Sequence, residues 1–264
     1  MRPSMDERDH SHARAALVTG SAGGLMRGVC VSLARSGFSV AAHHRPGGSD
    51  ADETLSAVRT AGGTCFAFPA DVTTAAGATS LVEAVRDRLR RIDTLVCGVG
   101  PMMIKDAIDT TPEEFDEMIA GNLTSAYLTI RAALPIMREQ RFGRVICFGM
   151  TGSESTQGFR HLSAYVAAKA GLTAFVKTLA LEEGPYGITC NVVNPGDIRD
   201  KDADRKTAAE RRDYRNPTTR PGSWEDIGDA VAFLASDEAS FINGAVLTVS
   251  GGWQGFFEKY SRWP

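Results

Sequence analysis

The chain has 264 residues, 43% of them hydrophobic, and a formal net charge of −3 with acids and bases interspersed. That is enough apolar content for one large domain, and it offers no basic surface for nucleic acid or an anionic membrane. No apolar run approaches the roughly 20 residues of a transmembrane span, and the start lacks a signal peptide's apolar core, so a cytoplasmic protein is expected.

Met1 to Arg14 is polar, with little to bury, and reads as a mobile tail with His10 and His12 solvated. Ala15 to Thr19 is a short apolar run, followed by Gly20-Ser21-Ala22-Gly23-Gly24 and a helical pattern from Leu25 to Ser36. Strand, glycine turn and helix in this order let backbone amides approach a pyrophosphate at the positive end of the helix. An ordinary tight loop has the same composition. A second strand, Phe38 to His43, leads into His44-Arg45-Pro46, where a dinucleotide fold tests the adenosine ribose. An acid there favours NAD; Arg45 instead matches the 2′-phosphate of NADP, or is a solvated charge.

Asp50 to Ala61 reads as a helix and Thr64 to Ala70 as a third strand, with Asp71-Val72 in the turn beyond it. The next helix, about Ala75 to Arg91, shows Leu81, Val82, Val85 and Leu89 on one face. A fourth strand, Asp93 to Cys97, opens into Gly98-Val99-Gly100-Pro101. Thr111-Pro112-Glu113-Glu114 starts a helix with a capping hydroxyl, a first-position proline and an acid three residues on. That helix carries Asn122 mid-course, a poor helix former whose amide needs partners if buried.

Arg144 to Phe148 is the fifth strand. The helix beyond it begins Ser163-Ala164-Tyr165-Val166-Ala167-Ala168-Lys169 and runs to Glu183. Tyr165 and Lys169 are four residues apart and share a face. A cation beside a phenol, whose unperturbed pKa is about 10, favours the phenolate and suits it to proton transfer. A lone pair of this spacing is also a common chance match. His161, just ahead of this helix, reads as an exposed loop residue that could approach a substrate.

Ile188 to Val193 is the sixth strand and ends in Asn194-Pro195-Gly196. Arg199 to Arg215 is dense in both charges and reads as a surface loop with one exposed helix, or as a lid at a strand's carboxyl end. Ser223 caps a last helix to Ser236, and Ala245 to Val249 is the seventh strand. Strands alternating with helices imply a single α/β domain over 15–264, built on a doubly wound parallel sheet with right-handed crossovers and a substrate-side loop at about 197–222. The five cysteines are scattered and odd in number, which suits reduced core residues, and no metal site is expected.

Taken together, TGSAGG at 19–24, Asp71-Val72, Asn122-Leu123, Tyr165 to Lys169, Asn194 to Gly196 and the final Ser250-Gly251-Gly252 stand in the order of the short-chain dehydrogenase/reductase family. The chain resembles that family from about Ala15 to Trp253, and most of all its 3-oxoacyl-acyl-carrier-protein reductase branch. The resemblance implies a Rossmann fold, NADP(H) as cofactor, and hydride exchange with a small carbonyl or alcohol substrate. It also implies a homo-oligomer, dimer or tetramer, formed through the helices of Asn122 and Tyr165.

By the same resemblance, Tyr165 protonates the carbonyl oxygen, Lys169 holds the nicotinamide ribose, and Asn122 anchors a water that refills the proton. Gly20, Ser21, Gly23, Gly24 and Leu25 would cradle the pyrophosphate and Arg45 the 2′-phosphate. Asp71 and Val72 would meet the adenine, with Gly98 and Gly100 lining the adenosine side. Pro195, Gly196 and Ile198 would flank the nicotinamide.

Three departures stand out. Met26 replaces the family's third glycine, which predicts a wider pyrophosphate turn. Cys97-Gly98-Val99-Gly100 replaces a motif with side-chain amides. The serine expected to bond the substrate carbonyl is missing: counting back from Tyr165 gives Gly152, and counting along the strand gives Met150. Thr151 is the favoured substitute and Ser153 the other. These losses also allow a second reading, a cofactor-binding protein with weak or no turnover, serving as a sensor or assembly subunit.

Overall fold

The computed structural model describes residues 13–214 and 216–253. The expected tail falls outside the described residues apart from Ala13 and Arg14, as do His10, His12 and Arg215.

Seven parallel strands form one sheet: β1 (Ala15–Thr19), β2 (Ser39–His44), β3 (Thr64–Pro69), β4 (Thr94–Cys97), β5 (Gly143–Phe148), β6 (Ile188–Pro195) and β7 (Val246–Val249). Their order, β3-β2-β1-β4-β5-β6-β7, reverses direction between β1 and β4, the doubly wound arrangement the alternation predicts. Every residue of β1, β4 and β5 is buried, as a strand covered on both faces requires. β3, at the edge, alternates buried and accessible residues and ends in Pro69.

The connections are α1 (Gly24–Arg35), α2 (Asp52–Thr60), α3 (Ala75–Leu89), α4 (Pro112–Ile119), α5 (Ser125–Gln140), α6 (Ser163–Glu183), the short α7 (Arg205–Glu210) and α8 (Trp224–Ala235). α4 and α5 are one helix interrupted by a π-turn, Ala120–Thr124. Leu17, Leu95, Val145 and Val192 face a core completed by Leu81, Val85, Ile130, Met137, Leu172 and Val176 of α3, α5 and α6. Val18, Val96, Ile146 and Val193 face the opposite core, completed by Val29, Leu33, Ile227 and Val231 of α1 and α8.

Length and composition alone would let α6 and the residues just after it, 163–186, cross a membrane, contrary to the expectation that no segment qualifies. In the fold, α6 buries Leu172, Val176 and Leu179 against the sheet, and its apolar character is that of a core helix. α1 and α8 pack closely because glycines face side chains across the contact. A Cβ on Gly28 would fall 2.5 Å from the Trp224 Cβ, and one on Gly228 would fall 2.2 Å from Ser32 Oγ.

The charged stretch holds one short helix, α7, capped by Asp204. Its ions are largely paired with one another or with neighbouring elements. Arg199 pairs with Asp197 and Asp213, Arg211 with Asp200, and Arg205 with Asp226 and Asp229 of α8. Asp202 pairs with Arg27 of α1, which also holds Glu53.

Candidate active site

The glycine turn leaves β1 at the switch point with Gly20 and Gly24 at positive φ, 71° and 56°, where a side chain would be strained. His43, the fifth residue of β2, braces it. His43 is 2% exposed, its Nδ1 accepts the Gly20 N–H at 3.0 Å, and its Nε2 donates to the Ala70 carbonyl at 3.1 Å. Those partners require a neutral ring, and burial lowers its pKa accordingly. Ser21 turns inward: its N–H and hydroxyl both reach the His43 carbonyl, and its own carbonyl accepts from Thr54 of α2. Ser21 therefore fixes the shape of the turn through its own bonds. Gly23 caps α1 with no side-chain hydrogen bond, leaving amides at the helix's positive end for an anion.

Met26 is buried, and its thioether lies against the β4 turn: a Cβ on Gly98 would sit 2.1 Å from Met26 Sδ. Two of the family departures are thus one packing exchange, the thioether filling space beside a residue without a side chain. The β4 turn keeps a brace in Thr19, whose hydroxyl accepts the Gly98 N–H at 3.1 Å. Beyond β2, Arg45 is exposed. Asp71 is held below the usual carboxylate range, chiefly by bonds from the Thr73 hydroxyl and N–H, and Val72 beside it is buried.

Lys169 and Tyr165 share a face of α6, as their spacing predicts. The ammonium lies 5.7 Å from the Tyr165 ring centroid and donates to the Phe148 carbonyl, the last of β5, at 2.7 Å. Lys169 is 3% exposed, and burial lowers its pKa to about 8. Asn122 lies in the π-turn, fully buried. Its Nδ2 donates to the carbonyls of Pro101 and Met118, while its Oδ1 has no hydrogen-bond partner. A Cβ on Gly100 would fall 2.8 Å from that Oδ1 and 3.0 Å from Lys169 Nζ, so both groups border the space that position 100 leaves open. The fold thereby brings three of the four catalytic candidates together at the carboxyl edge of β4 and β5.

After β5, Met150 stands where the strand count expects the serine, and Thr151 and Ser153 are the hydroxyls that follow it. Met150 is buried; Thr151 is also buried and makes only a long 3.4 Å bond to the Pro195 carbonyl. Ser153 is bonded to Thr173 at 3.0 Å on α6. Across the cleft, the Gly196 N–H donates to Val249, and Ile198 packs on Gly222, which fixes the segment after β6. His161 corrects the sequence-based expectation of exposure: its side chain is 11% exposed and paired with Asp106. His43, and the seat of Met26 beside Gly98, are the features sequence reasoning missed, because the partners are distant in the chain.

A doubly wound sheet with a glycine turn at its switch point, and a Tyr-Lys-Asn group at the carboxyl edge, defines a dinucleotide-binding oxidoreductase. The open turn, the Gly100 space and the orphaned Asn122 oxygen fit such a cofactor. A family profile described as Enoyl-(Acyl carrier protein) reductase matches residues 20–254. A Bacillus subtilis protein named as an oxidoreductase, YtkK, is 36% identical over 248 residues, covering 90% of this chain and 96% of its own. The 3-oxoacyl-[acyl-carrier-protein] reductase FabG of Escherichia coli is 34% identical over 244 residues, 90% of this chain and 96% of its own. A solved structure named as a 3-oxoacyl-reductase of Bacillus thuringiensis superposes with a TM-score of 0.82 at 34% identity, covering 91% of this chain and 98% of that one. The chain belongs to the short-chain dehydrogenase/reductase family, and nicotinamide dinucleotides are that family's cofactors.

Proposed function

We propose that the chain is an NADP(H)-dependent reductase converting a carbonyl to an alcohol, with a 3-oxoacyl thioester or related small ketone as substrate. The observation that carries this is the buried Lys169 ammonium beside the Tyr165 ring, with Asn122 Oδ1 unpaired across the same space. The bound cofactor supplies hydride. Tyr165 gives its phenolic proton to the substrate oxygen, so that negative charge does not build up there. Lys169, with a pKa of about 8, stabilises the phenolate and exchanges protons near neutrality. Asn122 Oδ1 accepts from a water that returns the proton through Lys169.

Gly20, Ser21, Gly23, Gly24 and Leu25 shape the pyrophosphate seat, and Gly98 and Gly100 line the adenosine side. Asp71 and Val72 meet the adenine, and Pro195, Gly196 and Ile198 flank the nicotinamide. Arg45 takes the 2′-phosphate, which favours NADPH over NADH. Thr151 supplies the substrate hydrogen bond, since its long bond to Pro195 is weakly held while Ser153 is committed to Thr173.

Replacing Tyr165 with Phe tests the mechanism. We expect kcat to fall about 10²- to 10⁴-fold with NADPH affinity unchanged; full activity in the variant sinks it. Fluorescence titration with NADPH and NADH tests Arg45, and equal affinities would remove the NADP assignment. Met150 in place of the serine favours the second reading, a cofactor-binding subunit with weak or no turnover. Tight NADPH binding with no oxidation by any 3-oxoacyl thioester or ketone would support it.

The five buried, unbridged cysteines suit a reducing compartment such as the cytoplasm. Phe115 and Tyr127 stay exposed on α4 and α5, which suits a homo-oligomer, tetramer or dimer, and sedimentation would show a monomer if that is wrong.

A further inference from the structure

His161 and Asp106 form a hydrogen-bonded pair that nothing in the mechanism above uses. Asp106 lies in the loop after β4 and His161 in the loop after β5, so the pair joins two loops that leave the carboxyl ends of neighbouring parallel strands. In such sheets those loops wall the ligand crevice. His161 is held from several sides. Its carbonyl accepts the Lys105 N–H at 2.8 Å, and the Lys105 ammonium in turn bonds both Glu114 oxygens at the start of α4. Its backbone sits at φ 63°, a strained conformation for a histidine, and strain of this kind persists where the surroundings impose it. Four residues on stands Tyr165.

The ring makes one bond and leaves one atom idle. Nδ1 meets Asp106 Oδ1 at 2.6 Å, so Nδ1 carries a hydrogen and donates it to the carboxylate. Nε2 is buried with no hydrogen-bond partner, and it is a second donor whenever the ring carries both protons. A buried polar atom without a partner is costly, and a ligand group that bonds to it would remove that cost. The same edge of the sheet lacks the expected serine, with Met150 in its place.

We propose that His161 is a specificity-determining residue whose Nε2, protonated when substrate binds, donates to the acyl oxygen of the substrate, the oxygen two carbons from the ketone that a 3-oxoacyl thioester has and a simple ketone lacks. Asp106 is the positioning residue that fixes the ring. This inference rests on the reductase reading and narrows it to substrates with a second oxygen acceptor.

The test compares S-acetoacetyl-N-acetylcysteamine with butanone in the wild type, His161→Leu and His161→Gln. We expect His161→Leu to raise the thioester KM at least tenfold and to leave kcat/KM for butanone within threefold. His161→Gln, which keeps a donor, should recover most of the loss. An equal loss on both substrates would assign the pair a purely structural role, and an unchanged thioester KM would remove His161 from the site; either overturns the proposal. A readout independent of turnover and of variant folding is the ¹⁵N signal of the His161 ring in the wild type with NADP⁺, titrated with the same thioester. A shift of the Nε2 resonance supports the contact. Saturation by the thioester without a shift overturns it, as does a wild type that does not bind the thioester. A wild type that binds the thioester and shifts Nε2 but oxidises no NADPH would fail the reductase reading alone.

Discussion

An ammonium that is 3% exposed, with a single hydrogen-bonded carbonyl at 2.7 Å, is costly to keep charged. The folded Lys169 pKa, about 8, lies below the unfolded value of 10.5. The unfolded chain therefore binds the proton more tightly, so stability rises with pH between those two values and the penalty is fully present below the lower one. Lys169→Met should raise the Tm of the cofactor-free protein at pH 7 by several degrees, with the gain shrinking toward pH 10 while activity is lost. Calorimetry at the two pH values checks this, and a pH-independent difference would contradict it. The pairing of Tyr165 with Lys169 was legible because both partners lie within one helical turn. The pairing of His161 with Asp106 was not, because no local pattern links residues on two different loops. His43 was hidden for the same reason: only the fold brings it against Gly20 and Ala70.

At the scale of elements, strands and helices were readable to within a residue or two, since strand burial and helical periodicity are local. β4 spans Thr94–Cys97 against the expected Asp93 to Cys97, and α3 ends at Leu89 rather than Arg91. The contacts between elements were not readable. Met26 on α1 looked like a defect in the pyrophosphate turn, and only its seat beside Gly98 shows it as half of an exchange. A double-mutant cycle measures that exchange. Gly98→Ala should cost about 1–3 kcal/mol beside Met26 and clearly less once Met26→Ala has removed the thioether, with a remainder because the Thr19 carbonyl also lies 2.7 Å from the added Cβ. Urea denaturation of the four proteins supplies the numbers, and strict additivity would mean the two sites are independent. Gly28, two residues further along α1, faces α8, where Trp224 occupies the space a side chain would need.

Over the whole molecule, two cores enclose the sheet and every cysteine is buried. Burial pushes the thiols of Cys30 and Cys190 well up and that of Cys65 to about 12, and a hydrogen bond with Cys147, together with burial, raises that of Cys97, so for these four the reactive thiolate is scarce as well as inaccessible. Native protein should react with an aromatic disulfide reagent only as fast as it unfolds, and all five thiols should appear together in denaturant. One thiol titrating rapidly in the native state would disprove that uniform protection. The charged segment after β6 behaves differently. It is tied to α1 and α8 by surface ion pairs, each worth little and weakened by salt. Raising salt to 1 M should speed proteolysis within 199–212 while exchange of the β4 and β5 amides stays unchanged. The sequence showed this segment's charge but not its anchors, which again sit on other elements.

The π-turn that carries Asn122 has a consequence for chain length. A helix with one wide turn holds one residue more than a regular helix of the same course, so its two halves are in phase with their neighbours only at the present count. Removing a residue from 120–124 would let the backbone close into an uninterrupted α-helix, locally the simpler structure. It would also swing everything on one side by about 100° relative to the other. The amide now bordering the Lys169 space would leave it, although every residue type the chemistry needs would still be encoded. In this stretch the proposed function depends on the number of residues as much as on their identity.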